Sequence, residues 1–334
     1  MVAPELCDRI TGITFDRIKW SGDFEGFSAM RFPSLTWLSL TRGPVPVSPI
    51  FPESFLGGSA PELRSFKSYN IGFTTFPKLA LSATRLVTLS LLALHPNPSN
   101  DSLTPEGIVS NLSALPTLIE LAIGYERRQY PEDRPGLRDP HHQTPIVLPA
   151  LTHFRFEGDD DYLEYFVSQI DAPLLNEINI LFLDYVPHHV QQLDRLISGA
   201  ESFEPPKQAT IDIHLMRITL QSPTHFLVIR TERSFDPVRS MTRLCSDLSH
   251  LLSIVDDLEI RGYPSSRGDY ADKNWLKLLR PFIAVQSLYA TNLIARLIAP
   301  VLQKPTRPSD TLPSLRNIVL ERCHPSKSDV LYPY

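Results

Sequence analysis

Short clusters of nucleophilic and acidic residues are the places where this sequence could do chemistry. The segment Gly57-Gly58-Ser59-Ala60 sets a serine among small residues, as the G-x-S-x-G motif of serine nucleophiles does. That motif requires a glycine two residues after the serine, where this chain has Pro61. We therefore interpret the segment as a glycine turn that precedes a strand.

Three consecutive aspartates, Asp159, Asp160 and Asp161, have the oxygen atoms that a divalent cation prefers. A calcium loop of the EF-hand type needs oxygen ligands at alternating positions, which Leu163 and Tyr165 occupy here. Acidic residues are also favoured in the first turn of a helix, because they interact well with its dipole. The sequence thus predicts a helix start here, and no metal site.

Histidine and cysteine residues form a second group of candidates, namely His141-His142, His188-His189, Cys323-His324, and Cys245 with His250. Neighbouring side chains diverge on a strand or a helix, so adjacent histidines do not make a metal site alone. We identify no local feature that lowers the pKa of either thiol. With no phosphate-loop motif in the sequence, we predict a protein that is not an enzyme and binds no cofactor.

Composition restricts the class of protein further. The net charge of -5 includes no basic excess of the kind that nucleic-acid binding needs. Three widely spaced cysteines are typical of a reducing compartment. The sequence shows neither a signal-peptide pattern nor an uninterrupted apolar stretch of membrane-spanning length. We expect a cytoplasmic or nuclear protein that binds no membrane.

The elements that must position any site are written as a recurring nine-residue phrase. Its copies are FPSLTWLSL (Phe32–Leu40), LPTLIELAI (Leu115–Ile123), LPALTHFRF (Leu148–Phe156), APLLNEINI (Ala172–Ile180) and LPSLRNIVL (Leu312–Leu320). The last three positions alternate apolar with other residues, which predicts a short strand with one buried face. The proline stands where the chain approaches the strand, before any backbone partner is needed.

The first strand apolar position marks each copy along the chain. The markers are Ile18, Leu38, Phe66, Leu89, Leu121, Phe154, Ile178, Ile211, Leu258, Leu288 and Ile318, about 20 to 47 residues apart. The last copy fits the leucine-rich repeat L-x-x-L-x-L-x-x-N/C with Leu315, Ile318, Leu320 and Cys323. We predict an α/β fold, an irregular leucine-rich-repeat solenoid forming one domain over 1–334. Its parallel sheet would line the concave face, with short helices and extended segments on the convex face.

Two regions depart from the regular spacing of these repeats. Residues 125–144 are charged and rich in proline, which predicts a mobile loop. Residues 209–254 contain strongly alternating segments followed by a helical stripe, so we predict inserted antiparallel strands and one long helix, 236–254.

Residues beside the buried pair of each strand should point to the concave face and bind a protein partner. In this register they are Trp37, Ser39, Thr41, Thr88, Ser90, Glu120, His153, Arg155, Glu157, Glu177, Asn179, Asp257, Glu259, Arg261, Asn317 and Glu321.

Several longer phrases also suggest a family. ESFLGGSAPELRSF (Glu53–Phe66), DYLEYFVSQIDAPLLNEINI (Asp161–Ile180) and NWLKLLRPFIAVQSLYATNL (Asn274–Leu293) resemble the leucine-rich-repeat region of F-box-like proteins of mushroom-forming fungi. The resemblance covers about Phe32 to Glu321 and implies a substrate receptor of a ubiquitin ligase. The first thirty residues do not contain a complete F-box motif, and only APELCDRI resembles the beginning of one.

The favoured hypothesis is therefore a non-enzymatic protein-binding module that resembles the substrate-recognition part of an F-box receptor. It would bind a ligase adaptor only if the full gene encodes an upstream F-box. The alternative is a stand-alone leucine-rich-repeat scaffold unrelated to ubiquitination.

Overall fold

A computed structural model describes residues 7–18, 27, 30–43, 54–71, 79, 82–94, 105–126, 144–183, 190–201, 203–231, 237–262, 272–303 and 311–321. Most of the predicted loop 125–144 lies outside these residues. The described chain confirms the α/β class, with mostly parallel strands and short helices. Its contacts divide it into two compact units, Met1–Phe203 and Glu204–Tyr334. None of the described helices is long and apolar enough to cross a membrane.

The first unit is built on parallel strands. Its described strands are β1 (Gly12–Ile18), β2 (Trp37–Arg42), β3 (Ser65–Tyr69), β4 (Thr88–Leu94), β5 (Glu120–Tyr125), β6 (Ile146–Val147), β7 (His153–Gly158), β8 (Ile170–Asp171) and β9 (Glu177–Phe182). Strands β6 and β8 pair with each other, and the other seven pair in chain order, all in parallel. Its described α-helices are α1 (Pro105–Leu112), α2 (Asp160–Ser168) and α3 (Gln191–Gly199).

The second unit combines parallel and antiparallel strands. Its described strands are β10 (Gln208–Asp212), β11 (Arg217–Gln221), β12 (Phe226–Thr231), β13 (Asp257–Arg261), β14 (Ser287–Thr291) and β15 (Asn317–Glu321). Strands β10, β13, β14 and β15 are parallel, whereas β11 pairs antiparallel with both β10 and β12. Its described helices are α4 (Pro237–Asp247), α5 (Ser249–Leu252), α6 (Asp272–Leu279) and α7 (Asn292–Gln303).

Helices α4 and α5 fall in the region where the sequence predicts one long helix. They are separate because Leu248 leaves the helical region of the backbone, with φ −92° and ψ 15°. Their apolar residues still face one side, and Met241, Leu244 and Leu251 are all buried. The helical stripe is therefore real, while the continuity of the helix is not.

The proline of each nine-residue phrase lies in a β-turn just before the strand. The turn is closed by the N–H of the phrase leucine, which donates to the carbonyl three residues earlier. Leu35 donates to Phe32 at 3.1 Å, and the bonds of Leu118 to Leu115, Leu151 to Leu148, Leu175 to Ala172 and Leu315 to Leu312 are 3.1–3.2 Å. Proline is favoured at the second turn position because its fixed φ matches that conformation. This is a more specific reason for the proline than the absence of a ladder partner.

A shared carbonyl joins each strand to the next. The N–H groups of Thr152 and His153 both donate to the carbonyl of Ile119, at 2.9 and 3.0 Å. In the second unit, those of Gln286 and Ser287 donate to Asp256 at 2.8 and 3.2 Å. Because this pair of hydrogen bonds to one carbonyl recurs between successive parallel strands, it fixes the register of neighbouring repeats.

The core of the first unit lies on the face of the sheet that carries the alternating apolar residues. Leu38, Phe66, Leu121 and Ile178 are almost completely buried there. Helix α2 packs on this side, where the rings of Phe154 and Phe166 stack with centroids 5.8 Å apart. The opposite face of the strands is consequently left for other interactions.

The observed register corrects two of the predicted repeat markers. Ile13 of β1 lies opposite Leu38, so Ile13 and not Ile18 occupies the marker position. The strand register shifts between Phe15 and Ile18, and Arg17 has a positive φ of 54°, so period-two alternation fails there. In β10 the residue opposite Leu258 is Ala209, two positions before the predicted Ile211.

Candidate protein-binding face

We define the open face of each unit as the strand positions that alternate with its buried apolar residues. In the first unit, cross-strand register places one row of this face on Trp37, Ser65, Thr88, Glu120, His153 and Glu177. The next row is Ser39, Lys67, Ser90, Ala122, Arg155 and Asn179. All these side chains are exposed or half-buried. The structure thus brings the predicted residues of five separate strands into two adjacent rows.

Two further predicted residues extend this face beyond the second row. Thr41 lies opposite Tyr69, and Glu157 lies opposite Gly124 and Leu181. Both predicted side chains are half-buried. They mark the ends of the strands, where the chain leaves the sheet.

The polar residues of the first open face contact one another at the surface. Thr88 Oγ1 donates to Glu120 Oε2 at 3.2 Å, and His153 Nε2 lies 3.5 Å from Glu177 Oε2. Arg155 Nη2 lies 3.7 Å from Glu157 Oε2. Exposed pairs of this kind contribute little to stability, about 0–1 kcal/mol each. Their charged groups can therefore be redirected to a partner at little energetic cost.

An aromatic area lies near the first strands of this face. The indole of Trp37 packs closely over Gly12. A Cβ atom added at Gly12 would lie only 3.1 Å from Trp37 Cε3. The Trp37 side chain is 37% exposed, and Tyr69 on the next strand is 50% exposed. Large exposed aromatics are the residues that most often anchor protein interfaces.

Sequence reasoning missed the contribution of β3 to this face. Ser65, Lys67 and Tyr69 alternate with the buried Phe66 and Ser68, but this copy departs from the consensus phrase. The signal that identifies it is Ala60-Pro61-Glu62-Leu63, which forms the same proline turn, with Leu63 N–H donating to Ala60 O at 3.1 Å.

The second unit has an equivalent open face. Its parallel strands give one row of Gln208, Asp257, Ser287 and Asn317 and a second of Thr210, Glu259, Tyr289 and Val319. Beyond the second row, Asp212 lies opposite Arg261, and Thr291 lies opposite Glu321. All five residues predicted in this part of the chain occupy these positions. Thr210 Oγ1 donates to Glu259 Oε2 at 3.3 Å, and Arg261 pairs with Glu259.

The antiparallel strands extend these rows with residues that the sequence pattern did not assign. The positions in register with these rows are Gln221, Thr219 and Arg217 on β11, and Phe226, Val228 and Arg230 on β12, of which Val228 is buried. The sequence indicated strands here but not which strand pairs with which, so their rows had no predicted register.

Among the residues that the structure describes, those with catalytic or metal-binding potential do not come together. Asp160 and Asp161 lie in the first turn of α2, and no cluster of three or more metal-ligating side chains occurs among the described residues. Cys245 is completely buried, and burial raises the pKa of its thiol, while His250 is exposed. The candidates His141, His142, His188, His189 and Cys323 lie outside the described residues.

Comparison with known proteins adds little to this description. No family model and no curated protein matches the chain. Among solved structures, the leucine-rich repeat-containing protein LegL7 from Legionella pneumophila aligns over 95% of this chain and 94% of its own. The two are 14% identical, with a TM-score of 0.37, which is too low to argue from.

Proposed function

We propose that this chain is a protein-binding module whose partner lies against the open faces of its sheets. The repeated turn, the shared carbonyl and the in-register rows support an irregular leucine-rich-repeat solenoid, with the open faces on its concave side. The single observation that carries the proposal is the row arrangement. It gathers polar and aromatic side chains from successive strands, while their neighbours form the core.

The chemistry of the first open face supports a protein partner. Trp37 and Tyr69 provide exposed aromatic surface, and Arg155 provides a planar guanidinium, the residue types enriched at interface centres. Serine, threonine and asparagine in the same rows add donors and acceptors. No basic excess favours nucleic acid, since the net charge is -5.

We further propose the role of a substrate receptor in a ubiquitin ligase, in a cytoplasmic or nuclear setting. Support comes from the resemblance of its repeat phrases to those of F-box-like proteins. Binding to the ligase adaptor belongs to this role only if an F-box is encoded upstream. Co-purification of the full gene product with the ligase adaptor tests this role. A full gene product that does not bind the adaptor favours the scaffold alternative.

Affinity capture followed by mass spectrometry tests the binding function itself. The wild-type chain is compared with Trp37→Ala, Arg155→Ala and a control, Arg195→Ala, whose side chain is exposed on helix α3. We expect the control to recover the same partner as the wild type. Losing an interface anchor costs about 2 kcal/mol or more, so Trp37→Ala should recover at least about tenfold less. Equal recovery by all four proteins would contradict the proposal.

A further inference from the structure

One cross-strand row in the second unit contains several arginines. Arg217 of β11 lies directly opposite Arg230 of β12 on one side and Asp212 of β10 on the other. Asp212 in turn lies opposite Arg261 of β13. Directly opposite residues on neighbouring strands have Cα atoms about 5 Å apart, so these charged side chains are neighbours on one face.

Two members of the row already have specific partners. Arg261 pairs with Glu259 of its own strand. The Oδ1 atom of Asp212 accepts a hydrogen bond from the N–H of Leu215 at 2.9 Å, which closes the turn between β10 and β11. The positive charge of Arg261 is therefore paired within its own strand, and one oxygen of Asp212 is engaged in the hairpin turn.

Arg217 differs from these neighbours. Its side chain is half-buried, and its Nε–H is shielded from solvent without an acceptor among the described residues. A shielded donor without an acceptor is unfavourable, and a like charge directly across the ladder adds to that cost. The side chain as a whole is only half-buried, so an anion from outside the chain can approach the guanidinium and offset the like charge across the ladder.

We propose that Arg217 anchors a carboxylate, an aspartate or glutamate side chain of the partner polypeptide, on the open face of the second unit. The inference rests on the protein-binding function proposed above and specifies the chemistry of the partner. A guanidinium matches a carboxylate with two parallel N–H donors. The burial of Nε restricts the rotamers of the Arg217 side chain. Less conformational entropy is therefore lost when the acid binds.

The neighbouring acids oppose a phosphate more than they oppose a carboxylate. A phosphate monoester carries about −1.5 to −2 charges at neutral pH, whereas a carboxylate carries one. The Asp212 carboxylate lies on the adjacent strand and Glu259 on the one beyond, so a dianion meets more repulsion than a monoanion. Thr219, two residues along β11 on the same face, adds a hydroxyl that can donate to the incoming acid.

Fluorescence anisotropy with a defined acidic peptide tests this anchor without knowledge of the natural partner. The probe is fluorescein-labelled (Glu-Ala)5, compared with (Gln-Ala)5 and (phosphoserine-Ala)5. We expect saturable binding of the glutamate peptide that weakens as salt is raised. The glutamine peptide should bind at least about tenfold more weakly, because a charge-assisted hydrogen-bonded pair is lost.

Variants locate the binding on Arg217. Arg217→Gln should weaken the glutamate peptide about tenfold, and Arg217→Lys should recover only part of the loss, because lysine lacks the planar fork. The control Arg243→Gln, on the exposed side of helix α4, should bind as the wild type does. In the wild type, the Nε–H resonance of Arg217 should shift on titration, which a purely structural role would not produce.

Three results would overturn the anchor. They are an absence of saturable binding, unchanged binding by Arg217→Gln with a native spectrum, and tighter binding of the phosphoserine peptide than of the glutamate peptide. If one of these results is obtained but affinity capture of the partner still depends on Trp37, the anchor is wrong and the general protein-binding function is retained. Loss of that dependence removes the binding function itself, so the two failures are distinguishable.

Discussion

His225 in the second unit accepts hydrogen bonds on a ring nitrogen that protonation would occupy. The N–H of Glu204 donates to His225 Nδ1 at 3.2 Å, and Thr224 Oγ1 lies 2.6 Å from the same atom. Burial lowers the pKa of His225 below its usual value, and the charge of Glu204 opposes this shift in part. The folded protein therefore favours the neutral ring.

We predict a stability loss in mild acid that depends on His225. A histidine with a lowered pKa in the folded state contributes fully above its unfolded pKa of about 6.5. That contribution falls as the pH drops below this value, because the unfolded chain binds the proton more readily. Urea unfolding between pH 7.5 and 5.5 should show the fall, and His225→Asn, which keeps an acceptor, should flatten it. An equal pH slope in both proteins would refute this origin.

The thiol of Cys245 should be chemically inert in the folded protein. The residue is completely buried in helix α4, and burial raises the pKa of its thiol. A chain carrying Cys7→Ser and Cys323→Ser retains this cysteine alone. We expect no reaction with a disulfide reagent under native conditions and one thiol per chain after unfolding in denaturant. Rapid reaction of the native variant would contradict the burial.

At the scale of the element, the proline turn and the strand after it form the repeating unit. The turn Ala172-Pro173-Leu174-Leu175 presents two adjacent leucines to different surroundings, with Leu175 completely buried and Leu174 48% exposed. The same side chain type thus serves the core at one position and lies at the surface at the next.

This pair gives a matched test of the repeat. Leu175→Ala should lower the free energy of unfolding by about 2–5 kcal/mol, because it removes transfer free energy and leaves a cavity. Leu174→Ala should change it by less than about 0.5 kcal/mol. Urea denaturation of both variants measures the difference. Similar losses in the two variants would contradict the assigned turn.

Sequence alone predicted these elements where the pattern is local. Alternation of apolar residues and the proline before each leucine identified β2, β5, β7, β9 and β15, because both depend on nearest neighbours in the chain. The register of β1 was not predictable, since the shift at Arg17 breaks period two without a glycine or proline to signal it. Arg217 was missed for another reason: its neighbours Arg230 and Asp212 are set by strand pairing, which the sequence pattern did not specify.

At the scale of the whole molecule, two compact units each carry strands with one apolar face and one open face, and the apolar face is buried in most strands, whereas in β15 Ile318 and Leu320 are exposed. The open faces share a mixture of hydroxyl, charged and aromatic side chains, including Trp37 and Tyr69 in the first unit and Tyr289 in the second. Such a mixture fits the recognition of a polypeptide, with aromatic anchors supplying area and charged residues supplying specificity. The predicted single domain over 1–334 stays a prediction.

Site-specific photo-crosslinking tests the central claim most directly, because it reports which surface the partner touches. A benzophenone amino acid replaces Lys67 or Tyr289 on the open faces and, in separate chains, Arg195 or Arg243 on exposed helix surfaces. With the partner recovered by affinity capture, we predict crosslinks from Lys67, from Tyr289 or from both, and none from the helix positions. Crosslinks from Arg195 or Arg243 with none from either open-face position would contradict the account.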